Sequence, residues 1–403
     1  MGLIGQIAGL PFLALSYGLW LAANITRPLI VATLLCVLTN PKAAHAKLKL
    51  IVNTFRYLVL SKDKKWKKPK DDPASFFSKD NNGEYIVLGK KTVVFLRHGE
   101  STWNDTFNKG DRKMSSFLSG FIPGIFHSLA TEWYFLVRGM SNESWFFDSP
   151  LSAKGIQQAE GVAKFLRETD SKYATPKEAR FLRLIKGEAE DTNDAVGESA
   201  SDKCVLVSSN LRRAISTCAI AMKDRLDRKI AGDKIFVLQE LQEASINPDA
   251  QSITPPFETL VTSFTDSESV KMIYADQTDT SLNKGNKDIK SNGLQRMEAF
   301  CSLLFATKNE GTAEKDDDDD DQKNQTSRML SDANHVMCTG HSYWFRAFFQ
   351  TYLPKDFEHV CKKKKLVNGG LVGFTLCHTK VKETGEDKYM IDPVSLTVLY
   401  AGF

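Results

Sequence analysis

An apolar, β-branched run, Thr92 to Leu96 (TVVFL), leads straight into Arg97-His98-Gly99. Such a run predicts a buried strand. In open α/β sheets, ligands bind just beyond the carboxyl ends of strands. A histidine and an arginine there, beside a small glycine, are placed to meet an anion closely. Two later segments repeat the arrangement. Cys204 to Ser209 (CVLVSS) runs into Asn210-Leu211-Arg212-Arg213, and His335 to Thr339 (HVMCT) runs into Gly340-His341. Each continues into a helix-like stretch, whose first N–H groups add favourable potential for an anion. A further run, Ile235 to Leu238, ends on Gln239-Glu240-Leu241-Gln242-Glu243 and brings two carboxylates.

Taken together, these blocks resemble the histidine phosphatase superfamily, the phosphoglycerate-mutase-like proteins. Arg97-His98-Gly99-Glu100-Ser101, with Asn104, is similar to the family signature RHGE-S-x-x-N. The resemblance implies that His98 is the nucleophile and becomes phosphohistidine, that Arg97 holds the phosphoryl group, and that Asn104 and Ser101 line the pocket. Ser209, Leu211, Arg213, Ala214 and Thr217 fall on the family's S-x-L-x-R-A-x-x-T segment. Arg213 then becomes the second phosphate-binding arginine, and Arg212 is expected at the surface. Two guanidiniums suit the task, because a planar donor fork matches phosphoryl oxygens. His341 matches the second catalytic histidine, a donor to the phosphoryl group, although many relatives read His-Gly where this chain reads Gly340-His341-Ser342. His335 is expected to be structural.

A departing oxygen needs a proton, so the site requires a carboxylic acid. Leu241-Gln242-Glu243 resembles the family's L-x-E element and nominates Glu243, with Glu240 as runner-up. The segment DSPLSAKGIQQA resembles the family's D-x-x-L-T-x-x-G-x-x-Q-A helix start, with Ser152 as N-cap. Asn368 precedes a late strand, as in family members. The implied chemistry needs no metal or organic cofactor. The expected function is phosphomonoester hydrolysis with the substrate open. One alternative is a phosphoglycerate-type mutase. Mutases of the family carry E-R-H-Y-G after the acid, whereas this chain has Glu243-Ala244-Ser245-Ile246-Asn247. The other is a membrane-bound scaffold without activity, against which every central catalytic position is filled.

The elements that must position these residues are legible from periodicity. Strands are predicted over 92–96, 204–208, 235–238, 335–339 and 371–376, and helices over 152–168, 211–226, 293–307 and 342–352. Alternating strands and helices predict a three-layer α/β/α domain with a largely parallel central sheet. The domain is expected to occupy 84–403, interrupted by an aromatic-rich insertion at 106–147 and another at 309–328. The second contains six consecutive aspartates, Asp316 to Asp321, and reads as a disordered surface loop.

The N-terminus has a different composition. Residues 3–23 are uncharged and almost wholly apolar, about the length that spans a bilayer as a helix. A shorter apolar run, 29–38, fits a hairpin return or an interfacial segment. Residues 1–41 are therefore expected to be a membrane anchor. Between 42 and 70 the chain carries ten Lys and Arg, Lys42 to Lys70, against Asp63 alone, and 71–83 reads as a linker. That balance favours a cytosolic catalytic domain and attraction to anionic lipid. No base-reading module accompanies it, so nucleic acid is not an expected partner. Asn24, Asn104, Asn142 and Asn324 stand in glycosylation sequons, which keeps a luminal alternative open, but a glycan on Asn104 would block the pocket. Seven cysteines without a CxxC pair, several in apolar runs, read as reduced and buried.

Overall fold

The computed structural model describes residues 27, 30–35, 37–81, 83, 85–109, 112–169, 175–188, 204–230, 232–261, 265–306 and 318–403. Seven strands form one sheet: β1 (Gly89–Arg97), β2 (Cys204–Ser209), β3 (Ile235–Leu238), β4 (Thr278–Asp279), β5 (His335–Gly340), β6 (Leu371–Lys380) and β7 (Asp387–Tyr400). Their spatial order is β4-β3-β2-β5-β1-β6-β7. The five strands from β4 to β1 pair in parallel, and β6 and β7 close one side as antiparallel neighbours. The fold is mixed α/β with a mostly parallel sheet.

The longer helices among the described residues are α1 (Pro41–Leu60), α2 (Thr102–Phe107), α3 (Met114–Val137), α4 (Ala153–Glu168), α5 (Pro176–Lys186), α6 (Arg212–Ala221), α7 (Glu268–Asp276), α8 (Gly293–Phe305), α9 (Asp318–Asp332) and α10 (Ser342–Tyr352). The period-2 alternation of β1 divides its side chains between two cores. Val93 and Phe95 join Phe300 of α8 with Trp344 and Phe348 of α10. Val94 and Leu96 join Val162 of α4, Leu182 of α5 and Ile215 of α6. Both sheet faces are thereby covered, which gives the three layers. Each such fully buried side chain stabilises the fold by roughly 1.5–3 kcal/mol relative to exposure.

Phe95 is the hub of the first core. Its ring stacks on Phe345 at 4.1 Å between centroids and meets Phe374, Phe348, Phe349 and Trp344 edge-on at 4.9 to 5.9 Å. This cluster lies three residues before His98 and firms the floor of the site. The parallel register pairs Arg97 with Gly340 and Ser208 with Thr339, so the carboxyl ends of β1, β5 and β2 finish together at one edge.

Several expectations are modified. Residues 42–83 are more than juxtamembrane segment and linker. Pro41–Leu60 is helix α1, Asp63 is fully buried, and Trp66 packs against the first core. The 106–147 insertion is dominated by the 24-residue helix α3. Within 309–328, residues 309–317 lie outside the described residues, but Asp318–Asp332 is helical rather than a disordered loop. Thr326 Oγ1 anchors it by donating to Asp279 Oδ2 at 3.2 Å, and Leu330 is buried in the first core. The apolar run 3–23 lies outside the described residues. Among the described residues no helix is long and apolar enough to cross a membrane.

Candidate active site

His98 follows β1 directly and is 3% exposed. Its Nδ1 donates to its neighbour's carbonyl, Gly99 O, at 2.5 Å. That bond fixes the tautomer and leaves Nε2 with its lone pair facing the pocket. Arg213 Nε donates to this nitrogen at 3.3 Å. Asn368 Nδ2 donates to His98 O at 2.8 Å, and His98 N donates to Gly340 O at 3.0 Å. Burial, with the Arg213 and Arg97 charges, pushes the imidazole well below its usual 6.5. A neutral ring with a directed lone pair is the form a nucleophile needs.

The turn after His98 depends on two glycines. A Cβ on Gly99 would stand 2.3 Å from Gly155 O, and one on Gly155 would stand 2.0 Å from Glu100 O. The backbone of the nucleophile loop therefore lies directly on the start of α4. Ser152 caps that helix by accepting from Gly155 N at 3.1 Å, and Gln158 Oε1 accepts from Glu100 N at 2.8 Å. Thr217 Oγ1 accepts from Gly99 N at 3.0 Å and ties the loop to α6 as well.

His341 is the N-cap residue of α10 and is fully buried. Its ring centre lies 4.9 Å from that of His98. Ser209 Oγ, at the end of β2, lies 2.8 Å from His341 Nε2. Ser209 Oγ already accepts from Leu211 N at 3.3 Å, so its own hydrogen can be donated to Nε2, and the ring proton then sits on Nδ1. That atom is buried and meets no hydrogen-bond partner among the described residues. A buried donor left in this state is a position for a ligand acceptor. Burial, then Arg213, His98, Lys287 and Arg97, push this imidazole well below 6.5 as well.

Arg213 and Arg97 supply the positive charge. Arg213 is 1% exposed, donates through Nη1 to Asp249 O at 2.7 Å, and pairs with Asp249 Oδ2 at 3.6 Å. Arg97 Nη1 donates to Leu366 O at 2.7 Å. Arg212, expected at the surface, is instead fully buried. It pairs with Glu143 at 3.1 Å and donates to the Asp148 and Ser144 carbonyls. Adjacent residues at a helix start point in different directions, so Arg213 enters the pocket while Arg212 locks the insertion onto α6.

Of the two candidate acids, Glu243 stands at the N-terminus of α10. Its carboxylate accepts from Trp344 N at 3.0 Å and Tyr343 N at 3.4 Å, three and two residues beyond His341. Glu240 is turned toward Lys284, 3.8 Å from its Oε1. Ser101 and Asn104 are engaged elsewhere. Ser101 Oγ caps α2 by accepting from Asn104 N at 3.2 Å, and Asn104 Oδ1 accepts from Asn108 Nδ2 at 2.6 Å. The structure therefore brings His98, Arg213 and His341 together, sets Glu243 on their flank, and assigns Ser101 to helix capping.

Three charged residues were missed by sequence reasoning. Asp249 holds Arg213, and its Oδ1 is buried without a hydrogen-bond partner among the described residues. Burial raises its carboxyl, Arg213 opposes this, and the Glu243 charge adds to it. Asp148, at φ 46°, accepts from Arg212 N at 2.9 Å and Ile253 N at 3.3 Å. Lys287, fully buried among carbonyls, donates to Glu243 O, to Ser245 O and to Asp63 Oδ2, the last at 2.7 Å. Arg296 Nη1 lies 2.7 Å from the other Asp63 oxygen. Only Asp148 had a sequence signal, at the head of the DSPL segment.

No family model and no curated protein matches this chain. Among solved structures it is similar to a mycobacterial glucosyl-3-phosphoglycerate phosphatase, 14% identical, covering 75% of this chain and 97% of that one at a TM-score of 0.30. It is similar to a second mycobacterial hydrolase, 14% identical over 76% and 90% at 0.32. It is also similar to the phosphoglycerate mutase of Bacillus anthracis, 15% identical over 76% and 93% at 0.31. Likeness at this level decides neither fold nor activity for this chain.

Proposed function

We propose that the chain is a phosphomonoester hydrolase working through a phosphohistidine on His98. The observation that carries the reading is the pairing of an oriented, neutral His98 Nε2 with the Arg213 donor, beside an unengaged His341 Nδ1. His98 Nε2 attacks phosphorus in line with the ester oxygen, so the N–P bond forms as the P–O bond breaks. Arg97, Arg213 and the His341 N–H stabilise the equatorial oxygens. Glu243 gives its proton to the leaving oxygen. Water then attacks the phosphohistidine and passes a proton to Glu243, and phosphate and neutral His98 are released.

The test is a rapid-quench incubation of the full chain with a 32P-labelled phosphomonoester, followed by mapping of the label. The expected result is an acid-labile, base-stable label on the His98 peptide, absent from His98→Ala. Turnover without such a label would overturn the route. Transfer of the group to a second position of the substrate, rather than to water, would favour a mutase.

We further propose that the chain is attached to a membrane through its N-terminal apolar segments. Supporting this, α1 leaves Leu48, Ile51, Val52, Phe55 and Val59 exposed along one stripe, with Lys49 and Arg56 on another. Helix α3, joined to α1 by the Lys47–Glu132 ion pair at 2.6 Å, leaves Leu118, Ile122, Phe126 and Leu129 exposed. Contiguous apolar surface of this kind marks an interaction face. Carbonate extraction of native membranes is the check, with the chain expected in the pellet. Release by high salt alone would mean peripheral attachment.

A further inference from the structure

The groove beside α10 is lined by Lys64, Trp66 and Lys68 from the segment after α1 and by Tyr343, Arg346 and Gln350 from the helix itself. Its volume is about 140 Å³. Among the described residues, three cations and no carboxylate line it. Two of them converge on one ring: Lys64 Nζ lies 5.5 Å and the Arg346 guanidinium 5.1 Å from the centre of Tyr343. Gathering like charges around a concave surface is unfavourable in the empty protein and becomes favourable when an anion enters.

The groove is fixed in place. Trp66 packs on the first core, and Asp63, one residue before Lys64, is buried against Lys287 and Arg296. It also adjoins the catalytic centre. The backbone N–H of Tyr343 meets Glu243, while Arg346 lies three residues further on, about 5 Å along the helix axis. Lys365 lies within electrostatic reach of Glu243 and Arg97 on the one side and of Arg346 and Lys64 on the other.

We infer that this groove is a second anion subsite, which binds a second phosphate of the substrate whose first phosphate faces His98. The substrate class is then a bisphosphorylated molecule rather than a simple monoester. The substrate assignment rests on the phosphatase reading, whereas anion binding in the groove does not.

A series of α,ω-alkanediol bisphosphates and matching alkyl monophosphates tests this on the full chain, with p-nitrophenyl phosphate as reference. For one spacer length the bisphosphate is expected to show a kcat/KM about 10- to 100-fold above its monophosphate, the range for a charge-assisted contact. Lys64→Gln and Arg346→Gln should raise KM for that bisphosphate by a similar factor and leave p-nitrophenyl phosphate unchanged. Equal rates for bisphosphate and monophosphate at every length would overturn the inference. So would a preference that survives both substitutions, including the case in which they weaken binding to phosphatidylserine vesicles instead, since the groove would then serve lipid headgroups. If the wild-type chain hydrolyses neither series, the phosphatase reading fails. Calorimetric titration of the same bisphosphate then decides the subsite, with binding weakened by Lys64→Gln expected and binding indifferent to it fatal to the idea.

Discussion

Arg213 Nε points at His98 Nε2 from 3.3 Å, so a donor faces the lone pair that the proposed route directs at phosphorus. An entering phosphoryl group relieves this contact, because its oxygens are better acceptors for the guanidinium. On the proposed route Arg213 would thus be both a clamp on His98 and a receptor for the charge of the transition state. Arg213→Lys keeps the charge and loses the fork. Its kcat/KM on p-nitrophenyl phosphate should fall by about 100-fold or more, as for the loss of one preorganised donor. A fall of less than threefold would remove Arg213 from the reaction.

The candidate acids separate by leaving group. Glu243→Gln should lower kcat on alkyl phosphates, whose departing oxygen requires a proton, by about 10²–10⁴. The same change should scarcely affect p-nitrophenyl phosphate, whose leaving group departs without help. Glu240→Gln should leave both substrates near wild type, because that carboxylate faces Lys284. The opposite pattern would assign the proton to Glu240.

Asp63, Lys287 and Glu243 form a chain from the end of α1 to the acid. Lys287 is held near pKa 8 by its burial, with Asp63 opposing the shift and Arg296 adding to it. Asp63→Asn leaves two buried cations short of a counter-charge and should cost about 3–5 kcal/mol in urea unfolding. Lys287→Met should be coupled to it by at least about 1 kcal/mol in a double-mutant cycle. If the cluster also positions the acid, kcat on alkyl phosphates should drop further than kcat on p-nitrophenyl phosphate. Equal drops would make the cluster purely structural.

Stability should depend on pH through the two buried histidines. Both folded values lie well below 6.5, so below about pH 6.5 the unfolded chain binds protons that the folded chain refuses. The associated stability is fully present above pH 6.5. It is lost as pH falls toward the folded values, at about 1.4 kcal/mol per pH unit for each ring. Urea midpoints measured between pH 7.5 and 5 should show this decline, and His98→Gln with His341→Gln should flatten it. A slope indifferent to both substitutions would place the titration elsewhere.

The parts of the site legible in sequence are those where a strand alternation runs into a reactive residue. Val93 to Leu96 alternates between two cores, and the next two residues are Arg97 and His98. The β5 run ends in the same way at His341. The residues that were missed act across long loops. Asp63 and Lys287 are 224 positions apart, and neither sits in a periodic element. The expectation of Arg212 at the surface fails because a buried guanidinium needs partners, and those of Arg212 come from the insertion at Glu143 to Asp148. Strand β7 escaped notice because its side chains are mostly half-exposed and Pro393 interrupts its pattern. The helix over Asp318–Asp332 is not legible from its aspartates because it is tied down beyond them, at Thr326 and Leu330.

The contact of Gly99 with Gly155 bears on how such a site can change over time. With Cβ positions already occupied by backbone oxygen at 2.3 and 2.0 Å, neither glycine can be exchanged without parting the nucleophile loop from α4. That wall of the pocket is closed to gradual remodelling by point substitution. Lys64, Lys68 and Lys365, by contrast, are exposed side chains that can be replaced one at a time. Under the proposed function, the glycine contact would be the frozen part of the site and these lysines the part on which substrate preference could drift.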